Sequence, residues 1–157
     1  MSVIDLLYRL ESGRRELLEA CLGLSDAQIR QRPGAGEWSV LEVLAHLPDA
    51  DHGWVQSVQR MLTEDNPTLA RFDDAAWKAA HADVNQWPVE RVFAELRSAH
   101  QEALTQVVGL TEAGLTRPGV GARGPVTVQE LITRYAGHDV NHANQVREIR
   151  AALGLPL

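Results

Sequence analysis

Two histidines and a glutamine stand where helical periodicity calls for apolar side chains. His138 and His142 are four residues apart, and Gln145 follows three later. Stepped alternately by four and three, the inward seam of a helix here runs Leu131, Tyr135, 138, 142, 145 and Ile149. A buried polar side chain without a partner costs about 1–3 kcal/mol, so three on one seam need a reason. Residues four apart on a helix lie one above the other, with Cβ atoms ~6 Å apart. Both imidazoles then reach a single ion with bonds of ~2.0–2.1 Å. A third imidazole is offered by His46, beside a second apolar stripe. Its column reads Ser39, Val43, His46, Ala50, Gly53, and the small residues above it leave room for a ligand. Three neutral histidines leave a coordination position open for water or substrate, the pattern of catalytic metal sites. The expected cofactor is one divalent metal ion; imidazoles suit Zn, Ni, Fe or Cu, and the ligand set does not separate them.

Each of these residues also has a plainer reading. The three histidines can be buried polar residues of a purely structural bundle. Gln145 either positions a metal-bound water or ligand, or is a polar helix-end residue at the bundle mouth. Asp49 either orients His46 as a hydrogen-bond acceptor, or is a solvated residue beside a kink at Pro48. Gln145 and Asp49 are therefore the catalytic candidates outside the metal set. Asp139 follows His138 as Glu does in the H-E-x-x-H metalloprotease motif, but Asp is shorter and no third ligand of that motif follows. His52 and His81 read as surface residues, and His100 as a core-edge histidine or a pocket residue. Trp38, Trp54, Trp77 and Trp87 read as packing, with Trp54, two turns beyond His46, a pocket-lining candidate. Cys21 reads as a small buried hydrophobe.

The elements that must carry these residues are four amphipathic helices. Ser2 with Asp5 forms a capping box before Val3, Leu6, Leu7, Leu10, Leu17, Leu18 and Cys21, a 3.6-residue stripe over roughly 3–22 ended by Gly23. Ser25 with Gln28 opens a short helical turn. Ser39 with Glu42 caps a second long helix, roughly 40–63, in which Pro48 should remove one hydrogen bond and introduce a kink. Residues 64–87 are polar and poorly periodic, a long connection with one short helix around 73–80. A third helix runs from Pro88 to about Gly109, and a Gly/Pro-rich loop covers 117–125. Thr127 with Glu130 caps the fourth, which reaches Leu153. No alternating strand pattern competes, so the fold class is all-α, a four-helix bundle in one domain spanning 1–157.

Composition narrows the function. Hydrophobic residues make up 45% and charged residues 23%, ordinary for a globular chain, and 157 residues bury about two-thirds of the unfolded surface. The net charge of −6 disfavours nucleic acid, and fourteen of the fifteen basic residues are arginines spread singly. No apolar run is long enough for a membrane span, the start lacks the features of a signal peptide, and Cys21 has no second cysteine to pair with. A reducing cytoplasm is the expected location.

The segments Glu37-Trp38-Ser39-Val40-Leu41-Glu42-Val43-Leu44-Ala45-His46-Leu47 and Thr127-Val128-Gln129-Glu130-Leu131, followed by His138-Asp139-Val140-Asn141-His142-Ala143-Asn144-Gln145, resemble the two signature segments of the DinB/YfiT-like superfamily. The resemblance runs in order along essentially the whole chain. It implies an up-down-down-up bundle and a metal-binding triad mapping onto His46, His138 and His142. Many relatives carry another histidine one turn before the pair, where this chain has Arg134. They often have an acidic residue three or four positions after the first His, and Asp49 occupies the earlier place. The resemblance further implies a small-molecule substrate, a low-molecular-weight thiol as co-substrate, and a homodimer. The expected activity is thiol transfer to a small electrophile, or hydrolysis, in detoxification or stress response. The alternative is a stress-induced protein that binds metal or ligand without turnover.

Overall fold

The computed structural model describes residues 1–157. Seven helices are present: α1 (Val3–Ala20), α2 (Asp26–Arg30), α3 (Val40–Thr63), α4 (Asp74–Ala80), α5 (Val89–Val108), α6 (Glu112–Leu115) and α7 (Val128–Ala152). Four of them start where a capping box stands in the sequence. At Ser2/Asp5, Ser25/Gln28, Ser39/Glu42 and Thr127/Glu130 both reciprocal bonds form. Each box satisfies two backbone N–H groups that a helix start leaves without partners, and such a cap contributes about 1 kcal/mol. Pro48 lies inside α3, which stays helical through it. No helix is long and apolar enough to cross a membrane.

The long helices α1, α3, α5 and α7 make the bundle. Arg14 of α1 bonds Asp139 of α7, and Arg150 bonds the Ala20 carbonyl, so α1 and α7 ascend together. His52 faces Glu102, and Gln59 bonds Gln106, so α3 and α5 also run in one direction. Leu6 and Leu10, early in α1, share a cluster with Val58 and Met61, late in α3; these two helices are antiparallel. The order is up-down-down-up. Parallel α3 and α5 must be joined by a long return, which residues 64–88 provide.

The Gly/Pro-rich segment expected as a loop is a β-hairpin instead. Strands β1 (Pro118–Gly121) and β2 (Gly124–Thr127) pair antiparallel, with Pro118 opposite Thr127 and Gly121 opposite Gly124. Thr68 of the long return bridges Val120. Four-residue strands holding Gly and Pro show no alternation, so periodicity alone does not reveal them.

The core is divided along the bundle axis. One apolar cluster joins Leu17, Val40, Leu44, Leu47, Leu96 and Val146; the other joins Leu10, Trp54, Val58, Ala103, Ile132 and Ala136. Between them lies a buried polar layer. Arg14 donates to Asp139 Oδ2 and Asp51 Oδ2, each at 2.9 Å, and to the Leu96 carbonyl at 3.3 Å. Trp54 Nε1 donates to Asp51 Oδ1 at 3.2 Å. One guanidinium therefore ties all four long helices. Beside it α1 and α7 approach so closely that a Cβ on Gly13 would stand 2.7 Å from the Ala136 carbonyl oxygen.

Removing one partner of a buried ion network leaves charge without compensation, at a cost of about 3–5 kcal/mol. Arg14→Ala is therefore expected to lower the unfolding free energy by about that amount in urea denaturation. A loss no larger than that of an exposed arginine such as Arg97 would show that the layer does not hold the bundle.

Candidate metal centre

The Ser39 cap starts α3 so that His46 falls two turns in, on the side facing α7, where only 1% of it is exposed. From α7, His138 and His142 project toward it. The ring centroids of His46 and His142 lie 4.8 Å apart, and those of His142 and His138 4.3 Å apart. His142 thus sits between the other two, and two helices far apart in the sequence bring the three imidazoles into one packed row.

Hydrogen bonds to acceptor oxygens fix which nitrogen carries the proton in the rings of His46 and His142. The Val43 carbonyl only accepts, so His46 Nδ1 donates to it, at 2.5 Å, and Nε2 is left as a lone pair. That Nε2 is buried and has no hydrogen-bond partner. Gln145 Oε1 accepts from His142 Nδ1 at 2.8 Å, which likewise leaves the His142 Nε2 lone pair facing inward. His138 Nε2, 3.1 Å away, donates to that lone pair, so in this packing His138 carries its proton on Nε2. Two ligands of one tetrahedral ion, with bonds of ~2.0–2.1 Å, stand about 3.4 Å apart. Burial first, then the neighbouring His142, pushes both His46 and His138 down to about 4. Both are neutral at pH 7, as metal ligands must be.

The orphaned His46 Nε2 and the neutral His46 and His138 rings fit a divalent ion, which would take the His142 lone pair in place of the His138 N–H. The rings are packed on one another, and no three His, Cys, Asp or Glu side chains already surround a common point. Ligation of one ion by all three therefore requires the rings to turn out of this mutual packing.

The long return supplies a wall that the sequence did not reveal. Asp74 Oδ1, at the start of α4, lies 3.6 Å from His46 Nε2. A carboxylate oxygen and an imidazole lone pair are both acceptors, and a cation satisfies such a pair. Trp38, Trp77 and Phe72 surround the same ring, with centroids 5.1, 5.9 and 6.0 Å away. Trp38 and Trp77 thus have a place at the site. Trp54 does not line it; its ring stacks on Tyr135 within the apolar cluster of Leu10, Val58 and Ile132. Asp49 does not orient His46, because its carboxylate accepts from Trp77 Nε1 at 2.7 Å and the Val43 carbonyl holds the ring. Asp49 acts one step removed, anchoring the tryptophan beside the histidine. Gln145 contacts His142 directly.

The remaining titratable groups fall elsewhere. His52 is exposed beside Glu102, and His81 stacks on Trp77. His100 lies on α5 by the Arg14 layer, its Nε2 buried. Cys21 donates to the Leu17 carbonyl, and burial pushes its thiol up to about 12, against the thiolate form that a nucleophile needs. An open cavity of about 500 Å³ leads to the site between the long return, the hairpin and α7, with His138 and Asp74 in its wall.

Because His46 and His138 titrate near 4 when folded and near 6.5 when unfolded, the unfolded chain binds more protons between those values. Their contribution to stability is complete above about pH 6.5 and falls as pH drops toward 4, by at most about 2.7 kcal/mol per pH unit for two protons. Denaturation of chelator-treated protein across this range should show His138→Gln with a shallower loss than the parent chain. Equal slopes would mean that the folded histidine is not held neutral.

A family model described as the DinB superfamily matches residues 9–146. A protein of Geobacillus thermodenitrificans named "Putative metal-dependent hydrolase" is 30% identical over 140 residues, covering 88% of this chain and 78% of that one. A Geobacillus kaustophilus protein with the same designation is 31% identical over 141 residues, covering 88% and 79%. Among solved structures, YfiT from Bacillus subtilis, described as "a probable metal-dependent hydrolase with an unusual four-helix bundle topology", matches with a TM-score of 0.83 at 21% identity, over 99% of this chain and 91% of that one. The mycothiol-dependent maleylpyruvate isomerase matches at 0.75 and 12% identity, over 93% and 61%.

Proposed function

The chain belongs to the DinB superfamily, and from that premise we propose that it is a metal-dependent enzyme binding one divalent ion through His46, His138 and His142. Its substrate is a small electrophile, and the nucleophile a low-molecular-weight thiol or water. The observation that carries this reading is the lone pair of His46 Nε2, buried without a partner beside two further imidazoles. An unpartnered buried polar atom costs about 1–3 kcal/mol, and retaining one in a core is explained if an ion uses it. The metal dependence in the relatives' names supports the same reading.

A divalent ion held by neutral imidazoles acts as a Lewis acid, increasing the acidity of a thiol or water and favouring the nucleophilic form near neutral pH. The chain's own residues prepare that chemistry. The Val43 carbonyl and Gln145 Oε1 hold His46 and His142 in the tautomer that presents Nε2. Trp38, Trp77 and Phe72 shield the His46 side from bulk water. Asp74, half-exposed in the cavity wall, is placed to accept the proton that the nucleophile releases. In the thiol reaction the S–H bond breaks, its proton passing to Asp74, and an S–C bond forms as the electrophile's leaving group departs with its electron pair or its π bond opens and takes up a proton.

Elemental analysis of protein purified without an affinity tag should find about one ion per chain, and His46→Ala, His138→Ala and His142→Ala should each abolish stoichiometric binding. Gln145→Leu removes the acceptor that orients His142 and should weaken metal affinity roughly 10–100-fold. Conjugation of a model electrophile should require the loaded protein and one of a panel of thiols; ester hydrolysis tests water as nucleophile. Equal rates for the parent chain and His142→Ala would eliminate the mechanism. Stoichiometric metal with no turnover of any thiol or ester would instead establish a non-catalytic binding protein.

A further inference from the structure

The cavity leading to the histidines carries a charge opposite to that of the protein. Its wall holds three arginines, Arg71, Arg123 and Arg134, and a single carboxylate, Asp74. The chain as a whole has a net charge of −6. The three guanidiniums come from separate segments: Arg71 from the long return, Arg123 from the turn between β1 and β2, and Arg134 from the second turn of α7. The ion pairs of the fold engage other arginines, namely Arg14, Arg30, Arg32, Arg60, Arg91 and Arg147. Glu130, one turn before Arg134, commits its carboxylate to the Thr127 cap. Three cations outside the close ion pairs of the fold therefore line one concavity in an otherwise acidic molecule.

We infer that this cavity binds a small organic anion, a molecule with carboxylate or phosphate groups gripped by Arg71, Arg123 and Arg134 while its other end lies against His138. Guanidinium presents a planar fork of donors that matches the paired oxygens of either anion. The cavity volume of about 500 Å³ lies in the range of small-molecule sites, too confined for a folded partner. Tyr135 and Asn141 line the same cavity and add polar groups to its wall. Only the placement of the reacting end rests on the metal reading; the anion grip is a property of the arginines. The selectivity that follows is for acidic electrophiles over neutral ones of the same size.

Isothermal titration of succinate and of inorganic phosphate into the full chain, each compared with uncharged succinamide, tests this without relying on turnover. Saturable one-to-one binding of at least one anion is expected at millimolar concentration or below, and whichever binds more tightly identifies the preferred group. Arg71→Gln, Arg123→Gln and Arg134→Gln should each weaken that binding roughly three- to tenfold, with added salt acting in the same direction. All three side chains are exposed, so the variants should keep the parent melting temperature. Succinamide binding as tightly as succinate, a triple variant that binds unchanged, or no saturable anion binding at all would each overturn the inference. Anion binding that disappears when metal is stripped would place the anion on the ion and overturn it as well. Metal content measured on the same samples separates the two readings: arginine-dependent anion binding in a chain that takes up no ion would leave the anion site standing and remove the metal centre.

Discussion

The guanidinium of Arg14 is the constraint on which the rest of the structure depends. It is buried with Asp51 and Asp139 in a layer that interrupts the apolar core, and through the Leu96 carbonyl it also holds α5. A charge removed from water is tolerated only when its donors and the facing acceptors are nearly all satisfied, which confines the helices to a narrow range of register. Hydrophobic contacts alone permit sliding by a turn at modest cost; a two-carboxylate clamp does not. Burial, partly offset by Arg14, raises the Asp51 carboxyl, as expected for two acids sharing one cation.

That register is what brings the candidate site together. Asp139 is adjacent to His138, and Asp51 follows His46 by little more than one turn of α3. By fixing Asp51 against Asp139 through a shared partner on α1, the fold sets α3 against α7 at the height where the imidazoles meet. The polar layer and the histidine row are two consequences of one alignment. Gly13 contributes by its size, since the close approach of α1 to α7 beside Arg14 leaves no space for a Cβ. The layer supplies specificity at some expense in apolar burial, a trade familiar where buried polar groups define a unique packing.

Connections finish what the bundle begins. An up-down-down-up order obliges the chain to return the length of the bundle between α3 and α5, and this return delivers Asp74, Trp77 and Phe72 to the ring of His46. The hairpin that precedes α7 pairs with the same return at Thr68 and Val120, so the two segments that rim the cavity brace each other. Electrostatics are arranged at two scales: the molecule is acidic overall, while the cavity that the connections enclose is basic.

Local physical signals made much of this legible. Four capping boxes, each a bond between residues three apart, marked the helix starts to the residue, and the 3.6-residue stripes marked the buried faces. The pair at 138 and 142 stood out because four-residue spacing places both rings on one face, a property of the helix itself. The sequence also showed His46 as a candidate partner, by its small-residue column and by resemblance. Only the tertiary structure decided that Gln145 holds His142, that Asp49 holds Trp77 and leaves His46 to a carbonyl, and that Asp74 rather than either of them faces the His46 lone pair. Arg14 gave no local sign, since its partners lie 37 and 125 residues away. The division has a physical basis. Caps and helical faces depend on atoms within one or two turns, whereas buried ion pairs, cavity walls and the short hairpin depend on which distant segments packing brings into contact.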